Sequence, residues 1–254
     1  MKAVIFDLDG TLVQSEKLKA HSYAVAVQRL LLLDAPDERA VEAYREIVGS
    51  ARDVASKHIM DSLGLERALR ALMPAYKASS PEQVLTELRV TIYNRSVADP
   101  AVIRANEWPH TTALLRTAKD TFCATAVATM SQRKEVDHVL TSLDLLEHLD
   151  VILTKEDVTN AKPDPEIYLL AAKRLDVPPS ECLVLEDSVA CVRAGVSAGM
   201  HVIAVATPFT ECSLHRELPV PLEWVVRDPA TLPEVVRRKI DEHDAISHAV
   251  KEPR

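Results

Sequence analysis

The stretch from Ala3 to Thr11 reads Ala-Val-Ile-Phe-Asp-Leu-Asp-Gly-Thr, and it is the most informative part of the chain. Its first four residues are apolar and have the composition of a central strand in a parallel sheet, which Asp7 ends abruptly. Open parallel sheets bind ligands beyond the carboxyl ends of their strands, so we expect chemistry at this point. Asp7 and Asp9 point the same way, and two converging carboxylates repel unless a cation or a shared proton lies between them. The alternative is a plain strand end followed by an Asp-Gly turn.

The segment Asp7-Leu8-Asp9-Gly10-Thr11-Leu12 is similar to the opening motif of the haloacid dehalogenase superfamily, whose members are mostly magnesium-dependent phosphatases. Three later stretches resemble the remaining motifs of that superfamily, in the expected order. They are an apolar strand ending at Thr129, the sequence Lys-Pro-Asp-Pro beginning at Lys162, and Glu186-Asp187 after the apolar run from Cys182.

Each later stretch also has a physical interpretation of its own. Thr129 and Ser131 place hydroxyls at a strand end before a helix whose first amides can bind an anion, although Ser131 would serve equally as a helix N-cap. Pro163 and Pro165 would stiffen the backbone around Lys162 and so mount one ammonium rigidly, the alternative being a solvated surface lysine.

Glu186 and Asp187 repeat the opening design, because an apolar strand again breaks into carboxylates at its end. The sequence thus predicts a second half of a cation site. Asp7, Asp9 and Asp187 would offer hard oxygen ligands but too few to fill an octahedron, which is how Mg²⁺ is usually held. Ala190-Cys191 departs from the resemblance, since many relatives have a glycine there.

The pattern of apolar residues changes at two points in the chain. From Ser15 to about Arg95, apolar residues recur at helical spacing and no strand-length β-branched run occurs, whereas after His110 strands and helices alternate. We predict an α/β protein with a doubly wound, Rossmann-like parallel sheet core from residues 1–14 and 98–254. An inserted all-helical block spans residues 15–97, and it resembles the α-helical cap of many superfamily members.

The composition of the chain argues against several classes of function. The chain has 254 residues, 47% hydrophobic content and a net charge of −8 without a basic run, which argues against a nucleic-acid partner and an anionic membrane surface. No leader pattern and no run of about 18 apolar residues appears, so a cytoplasmic location is expected. Four scattered cysteines predict reduced thiols. The oligomeric state stays open between monomer and homodimer.

The resemblance implies roles for the motif residues. Asp7 would attack phosphorus and form an aspartyl-phosphate, while Asp9 would act as general acid and base. Thr129 and Lys162 would bind phosphate oxygens. Mg²⁺ would be held by the Asp7 carboxylate, the Asp9 backbone carbonyl and Asp187, with Glu186 in the outer shell. The implied activity is magnesium-dependent hydrolysis of a small phosphorylated metabolite.

Three alternatives remain at this point. A catalytically inactive binding protein lacks support because every catalytic residue type is present, and haloacid dehalogenation is disfavoured because such enzymes characteristically lack the second aspartate. The third is a sugar-phosphate mutase of the β-phosphoglucomutase type. Such mutases carry a histidine near the position of Lys19, whereas His21 falls on another helix face, and they often have an aliphatic residue where Thr11 stands.

Arg52 is a candidate substrate contact in the helical block. It lies in Gly49-Ser50-Ala51-Arg52, which interrupts two predicted helices and is similar to a Gly-x-x-Arg loop of some sugar-phosphate relatives. The alternative is a solvated arginine in the first turn of a helix.

Overall fold

A computed structural model describes residues 1–48, 50–122, 124–217 and 219–251, with the backbone alone for residues 246–251. These residues form a six-stranded sheet in which all neighbouring strands are parallel. In chain order the strands are β1 Ala3–Phe6, β2 Ala124–Ala128, β3 Val151–Leu153, β4 Cys182–Glu186, β5 His201–Val205 and β6 Val225–Val226.

The spatial order of the strands is β3-β2-β1-β4-β5-β6. Strand β1 therefore lies between β2 and β4, and Phe6 pairs in register with Val127 on one side and Leu185 on the other. The chain order reverses between β1 and β4, which makes this the topological switch point where open α/β sheets bind ligands. The predicted doubly wound parallel sheet is confirmed, and its switch point lies beside the predicted carboxylates.

Helices cover the sheet. In the α/β unit they are α7 Pro109–Thr117, α8 Arg133–Ser142, α9 Glu166–Leu175, α10 Val189–Ser197, α11 Glu211–Glu217 and α12 Leu232–Lys251. The main core packs Ile5 and Val184 of the sheet against fully buried Ala171 of α9 and Val192 of α10. Each valine or isoleucine side chain buried in this way contributes about 1.5–3 kcal/mol.

The chain divides into two compact units. The α/β unit comprises Met1–Gln14 with Ile103–Arg254, and the helical unit comprises Ser15–Val102. The units meet after Gln14 and after Val102, the second point lying inside the helix α6 Pro100–Ala105. The domain bounds at residues 14 and 97 remain a prediction. That the helical unit acts as a cap remains a prediction.

The helical unit contains α1 Ser15–Leu31, α2 Glu38–Arg45, α3 Arg52–Leu63, α4 Glu66–Tyr76 and α5 Pro81–Val97. Local chemistry explains several of its helix ends. Asp37 caps α2 by accepting a hydrogen bond from the Arg39 backbone N–H, Gly64 ends α3 in the left-handed region at φ 64°, and Pro81 occupies the first turn of α5.

The last helix, α12, continues to Lys251, because no glycine or proline interrupts the sequence before Pro253. The short helices α6 and α11 were not predicted. No helix among the described residues combines the length and the apolar character that crossing a membrane requires.

Candidate active site

The loop after β1 holds the first carboxylate of the candidate site. The Asp7 backbone N–H donates to the Leu185 carbonyl at 3.0 Å, so pairing with β4 continues one residue past the strand. The Asp7 side chain is buried at the end of this pairing. The chain then turns at Gly10, where φ is +82°.

Gly10 brings the loops after β1 and β4 together. A Cβ atom at position 10 would lie 2.1 Å from Oδ2 of Asp187 and 2.5 Å from its Cγ, so a side chain there would displace that carboxylate. The left-handed φ also favours glycine. Close approach of the two loops therefore depends on the absence of a side chain at position 10.

Three buried carboxylates converge at the switch point. Glu186 is the last residue of β4 and Asp187 follows it, and with Asp7 they offer oxygen atoms that all lie within 4.8 Å of one another. The Asp9 side chain is not a member of this group of three. A contribution of the Asp9 backbone carbonyl to a metal site remains a prediction.

Lys162 lies among these carboxylates and is not a solvated lysine. Its Nζ donates to Asp7 Oδ1 at 2.8 Å, to Glu186 Oε1 at 2.5 Å and to the Ala128 carbonyl at 3.0 Å. The side chain is 2% exposed. All three N–H groups of the ammonium therefore have acceptors, which are two carboxylates and the carbonyl at the end of β2.

The electrostatics of this cluster are unbalanced toward negative charge. Burial and the Glu186 carboxylate raise the pKa of Asp7 from its ordinary 3.8 to about 8, against the opposing effect of Lys162. Burial disfavours the charge on Lys162, but Asp7 and Glu186 outweigh it and hold the lysine pKa well above its usual value. One ammonium therefore does not neutralise the carboxylates around it, and a further cation would favour their ionised forms.

Tyr168 is a site residue that the sequence did not suggest. Its hydroxyl donates to Glu186 Oε1, and its ring centroid lies 4.8 Å from Lys162 Nζ. The other Glu186 oxygen accepts the Asp187 backbone N–H at 3.2 Å. The available signal was a single aromatic residue on the buried face of α9, just after Lys-Pro-Asp-Pro, and that pattern alone predicts only a core position.

Thr129 and Ser131 lie beyond the end of β2. Thr129 is buried and its hydroxyl oxygen accepts the Ser131 backbone N–H at 3.2 Å, while the Ser131 hydroxyl donates to Asp9 Oδ2. The N-cap of α8 is Gln132, so the alternative that Ser131 caps this helix is wrong. Phosphate binding by Thr129 and Ser131 remains a prediction.

Arg52 belongs to the helical unit. It is the first residue of α3 and is exposed, in line with its position after the N-cap Ala51. Gly49 of the predicted loop lies outside the described residues. A substrate contact of Arg52 therefore also remains a prediction.

The donor set at the switch point fits a hard divalent cation. Asp7, Glu186 and Asp187 supply oxygen atoms alone, which suit Mg²⁺ far better than zinc. Three carboxylates beside one ammonium leave an excess of two negative charges when all are ionised, and a divalent cation would offset that excess.

Known proteins resemble this chain over most of its length. A model of haloacid dehalogenase-like hydrolases matches residues 1–199. The phosphorylated carbohydrates phosphatase of Thermotoga maritima is 30% identical over 200 residues, covering 79% of this chain and 82% of that protein. Validoxylamine A 7'-phosphate phosphatase of Streptomyces hygroscopicus subsp. limoneus is 30% identical over 213 residues, covering 81% of this chain and 86% of that protein.

The crystal structure of β-phosphoglucomutase from Clostridium difficile matches with a TM-score of 0.66 over 96% of this chain and 99% of that one. Its sequence identity of 21% means that the similarity shows the fold alone. The family model and the phosphatase relatives confirm both the predicted superfamily and the predicted enzyme class, a phosphoric monoester hydrolase. The chain belongs to the haloacid dehalogenase-like hydrolase family.

Proposed function

We propose that this protein is a magnesium-dependent phosphatase that hydrolyses a small phosphorylated metabolite through an aspartyl-phosphate on Asp7. One observation carries the proposal. At the switch point of the sheet, Lys162 Nζ lies 2.8 Å from Asp7 Oδ1, within a buried cluster that also contains Glu186 and Asp187. A buried nucleophile beside a fixed ammonium suits attack on an anionic phosphorus centre.

Asp7 is the proposed nucleophile. Its carboxylate would attack phosphorus and displace the leaving oxygen, and water would then hydrolyse the resulting aspartyl-phosphate. Lys162 and the bound cation would together hold Asp7 in its ionised form. Lys162 would also stabilise charge on the phosphoryl oxygens, which it can do without moving because three hydrogen bonds hold it. Thr129 would donate its hydroxyl to a phosphoryl oxygen.

Asp9 is the proposed general acid and base. Its carboxyl would give a proton to the leaving oxygen and then take one from the attacking water. Asp9 is only half-buried, unlike Asp7, which suits a group that exchanges protons with substrate and water in turn.

Mg²⁺ is the proposed cofactor. Asp7, Asp187 and the Asp9 carbonyl would hold it, with Glu186 restrained by Lys162 and Tyr168 and so better suited to an outer-shell position. When bound, a magnesium ion neutralises phosphate charge and aligns the phosphoryl group for attack.

The substrate class is proposed from the relatives and from the sequence. Two similar proteins are phosphatases of phosphorylated carbohydrates and of a 7'-phosphate, which supports a small polyhydroxylated phosphate monoester here. Arg52 remains the proposed substrate contact of the helical unit. A cytoplasmic location and a monomeric or homodimeric state are proposed on the sequence arguments alone.

The test of this function is phosphate release from a panel of phosphorylated sugars and polyols, with and without a chelator. We expect chelation to abolish turnover. Asp7→Asn should lower kcat by on the order of 10⁴-fold or more, since it removes the nucleophile, while thermal unfolding stays close to wild type. Near-normal turnover in Asp7→Asn, or turnover that survives chelation, would refute the proposal.

A mutase is the second candidate function, and one structural observation bears on it. Lys19 stands near the position of the mutase histidine, and its Nζ lies 2.7 Å from Glu16 Oε1, so an ion pair occupies this part of α1. We therefore favour the hydrolase. Incubation with β-glucose 1-phosphate, magnesium and a trace of glucose 1,6-bisphosphate separates the two, because a mutase would form glucose 6-phosphate with little release of inorganic phosphate.

A further inference from the structure

The Ser131 backbone is held at both of its polar groups. Its N–H donates to the Thr129 hydroxyl oxygen at 3.2 Å, and its carbonyl accepts the Lys155 N–H at 3.2 Å. The Ser131 hydroxyl is thus presented from a restrained loop, and it donates to Oδ2 of Asp9. Both residues belong to the α/β unit, on the loops that follow the neighbouring strands β1 and β2.

A donor on one carboxylate oxygen restricts the whole carboxyl group. The hydrogen bond to Oδ2 selects one side-chain rotamer of Asp9 and thereby sets the direction of Oδ1. Proton transfer to a leaving group depends strongly on such alignment, because a misplaced acid loses most of its advantage. The contact therefore acts on the residue that the proposed reaction uses as acid and base.

We propose that Ser131 is a positioning residue for Asp9, an inference that rests on the proposed phosphatase function. In the first step the bond from Asp7 to phosphorus forms, the bond to the leaving oxygen breaks, and the Asp9 proton passes to that oxygen. In the second step water attacks phosphorus, its proton passes to Asp9, and the Asp7 carboxylate leaves. Ser131 keeps its own proton in both steps and holds the Asp9 carboxyl in one orientation.

This role differs from phosphate binding by Ser131 in a measurable way. A phosphate contact acts on every substrate alike, whereas a contact that aligns the acid acts only where the leaving group needs a proton. p-Nitrophenolate leaves as a stable anion and needs little acid assistance, but a sugar or glycerol alkoxide needs a full proton. Comparing substrates with different leaving groups therefore distinguishes phosphate binding from alignment of the acid.

The experiment measures kcat and KM of Ser131→Ala on p-nitrophenyl phosphate and on the best alkyl phosphate. Loss of a hydrogen bond to a charged group predicts a fall in kcat of about tenfold or more on the alkyl phosphate. We expect less than about a threefold fall on p-nitrophenyl phosphate, with KM little changed on both. Ser131→Thr, which keeps the hydroxyl, should recover most of the lost rate.

Ser142→Ala is the matched control. Ser142 is a buried serine of α8 whose hydroxyl donates to the His138 carbonyl at 2.7 Å, so its loss removes a hydroxyl without touching Asp9. Its kinetics should equal those of wild type on both substrates. Equal losses on the two substrates in Ser131→Ala, or a rise in KM alone, would overturn the positioning role in favour of a phosphate contact.

A second measurement tests the contact between Ser131 and Asp9 without depending on turnover. Thermal unfolding of Ser131→Ala, Asp9→Ala and the double variant forms a double-mutant cycle. We expect Ser131→Ala to shift Tm less in the Asp9→Ala background than in wild type, and fully additive shifts would overturn the inference. Absence of wild-type turnover would count against the proposed function, and the cycle would still decide whether Ser131 restrains Asp9.

Discussion

Lys162 of the α/β unit and Arg89 of the helical unit each bury a positive charge, and their surroundings differ. Lys162 donates to two carboxylates and a carbonyl. Arg89 is 5% exposed, and its Nε has no hydrogen-bond partner among the residues that the structure describes. Its guanidinium carbon lies 5.2 Å from the centroid of the Tyr23 ring.

The stability of the two units depends on their buried cations in different ways. Around Lys162 the protein supplies more negative charge than the ammonium needs, so removal of the lysine leaves carboxylates uncompensated. Around Arg89 it supplies an aromatic face, so removal of the arginine leaves no carboxylate unpaired among the contacts that the structure gives it. Substitution of the two cations by an apolar side chain of similar length should therefore have opposite consequences.

The largest expected effect is that of Lys162→Met. Turnover should fall by about 10³-fold, because a preorganised charge beside the nucleophile is lost. The free energy of unfolding should also fall, by about 3 kcal/mol, because Asp7 and Glu186 lose their common partner. Phosphate release and urea unfolding measure the two quantities. Lys173→Met, at an exposed lysine of α9, is the control and should change neither.

Magnesium addition should have the next largest effect, and its size should depend on pH. The pKa of Asp7 is about 8 in the folded state and near its ordinary 3.8 in the unfolded chain, so between these pH values the folded carboxyl holds a proton that the unfolded one has lost. The folded state therefore binds more protons in this window, and the metal-free protein loses stability as pH rises through it. Mg²⁺ must displace that proton, so the rise in Tm on adding Mg²⁺ should be larger at about pH 8 than at about pH 5.

Differential scanning fluorimetry at the two pH values measures this dependence. Asp187→Asn serves as the control, since it removes a proposed ligand and should abolish most of the Tm increase. An increase of equal size at both pH values would show that Mg²⁺ binding does not displace the Asp7 proton.

The smallest effect is expected for Arg89→Met. The free energy of unfolding should stay unchanged or rise by up to about 1 kcal/mol, because a buried charge with no carboxylate partner among the described residues is replaced by an apolar chain. Arg95→Met, at an exposed arginine of the same helix, provides the comparison. A loss above about 2 kcal/mol in urea unfolding would mean that the contact with Tyr23 outweighs the cost of burial.

Lys162 and Arg89 also differ in whether their burial could be predicted from the sequence. Lys162 was found because its position in Lys-Pro-Asp-Pro follows a motif, and the sheet was found because its strands are apolar runs that end in polar residues. Arg89 lies in a regular helix, and nothing in the periodicity of α5 distinguishes it from a solvated arginine. Motifs identify residues with a fixed local setting, whereas helix periodicity does not reveal which charged residue is buried.

The side-chain hydrogen bonds within the site could not be predicted from the sequence either. Tyr168 and Glu186 are eighteen positions apart and meet because α9 packs on the sheet, and Ser131 meets Asp9 across 122 positions. Side-chain distances of this kind depend on packing that a sequence pattern does not specify. The short helices α6 and α11, of six and seven residues, carry too few turns for a periodic signal.

The position of β1 has a consequence for synthesis of the chain. This strand is made first but lies at the centre of the sheet, and its two neighbours, β2 and β4, begin at residues 124 and 182. At about 5–20 residues per second, translation needs on the order of 10 s to supply β4. Ala3–Phe6 has both edges unpaired until β2 emerges, and the edge that pairs with β4 stays unpaired for the rest of that interval. The helical unit can already form its local contacts during this time. In a chain still bound to the ribosome, the helical unit would therefore be folded while the apolar strand N-terminal to it remains accessible to chaperones.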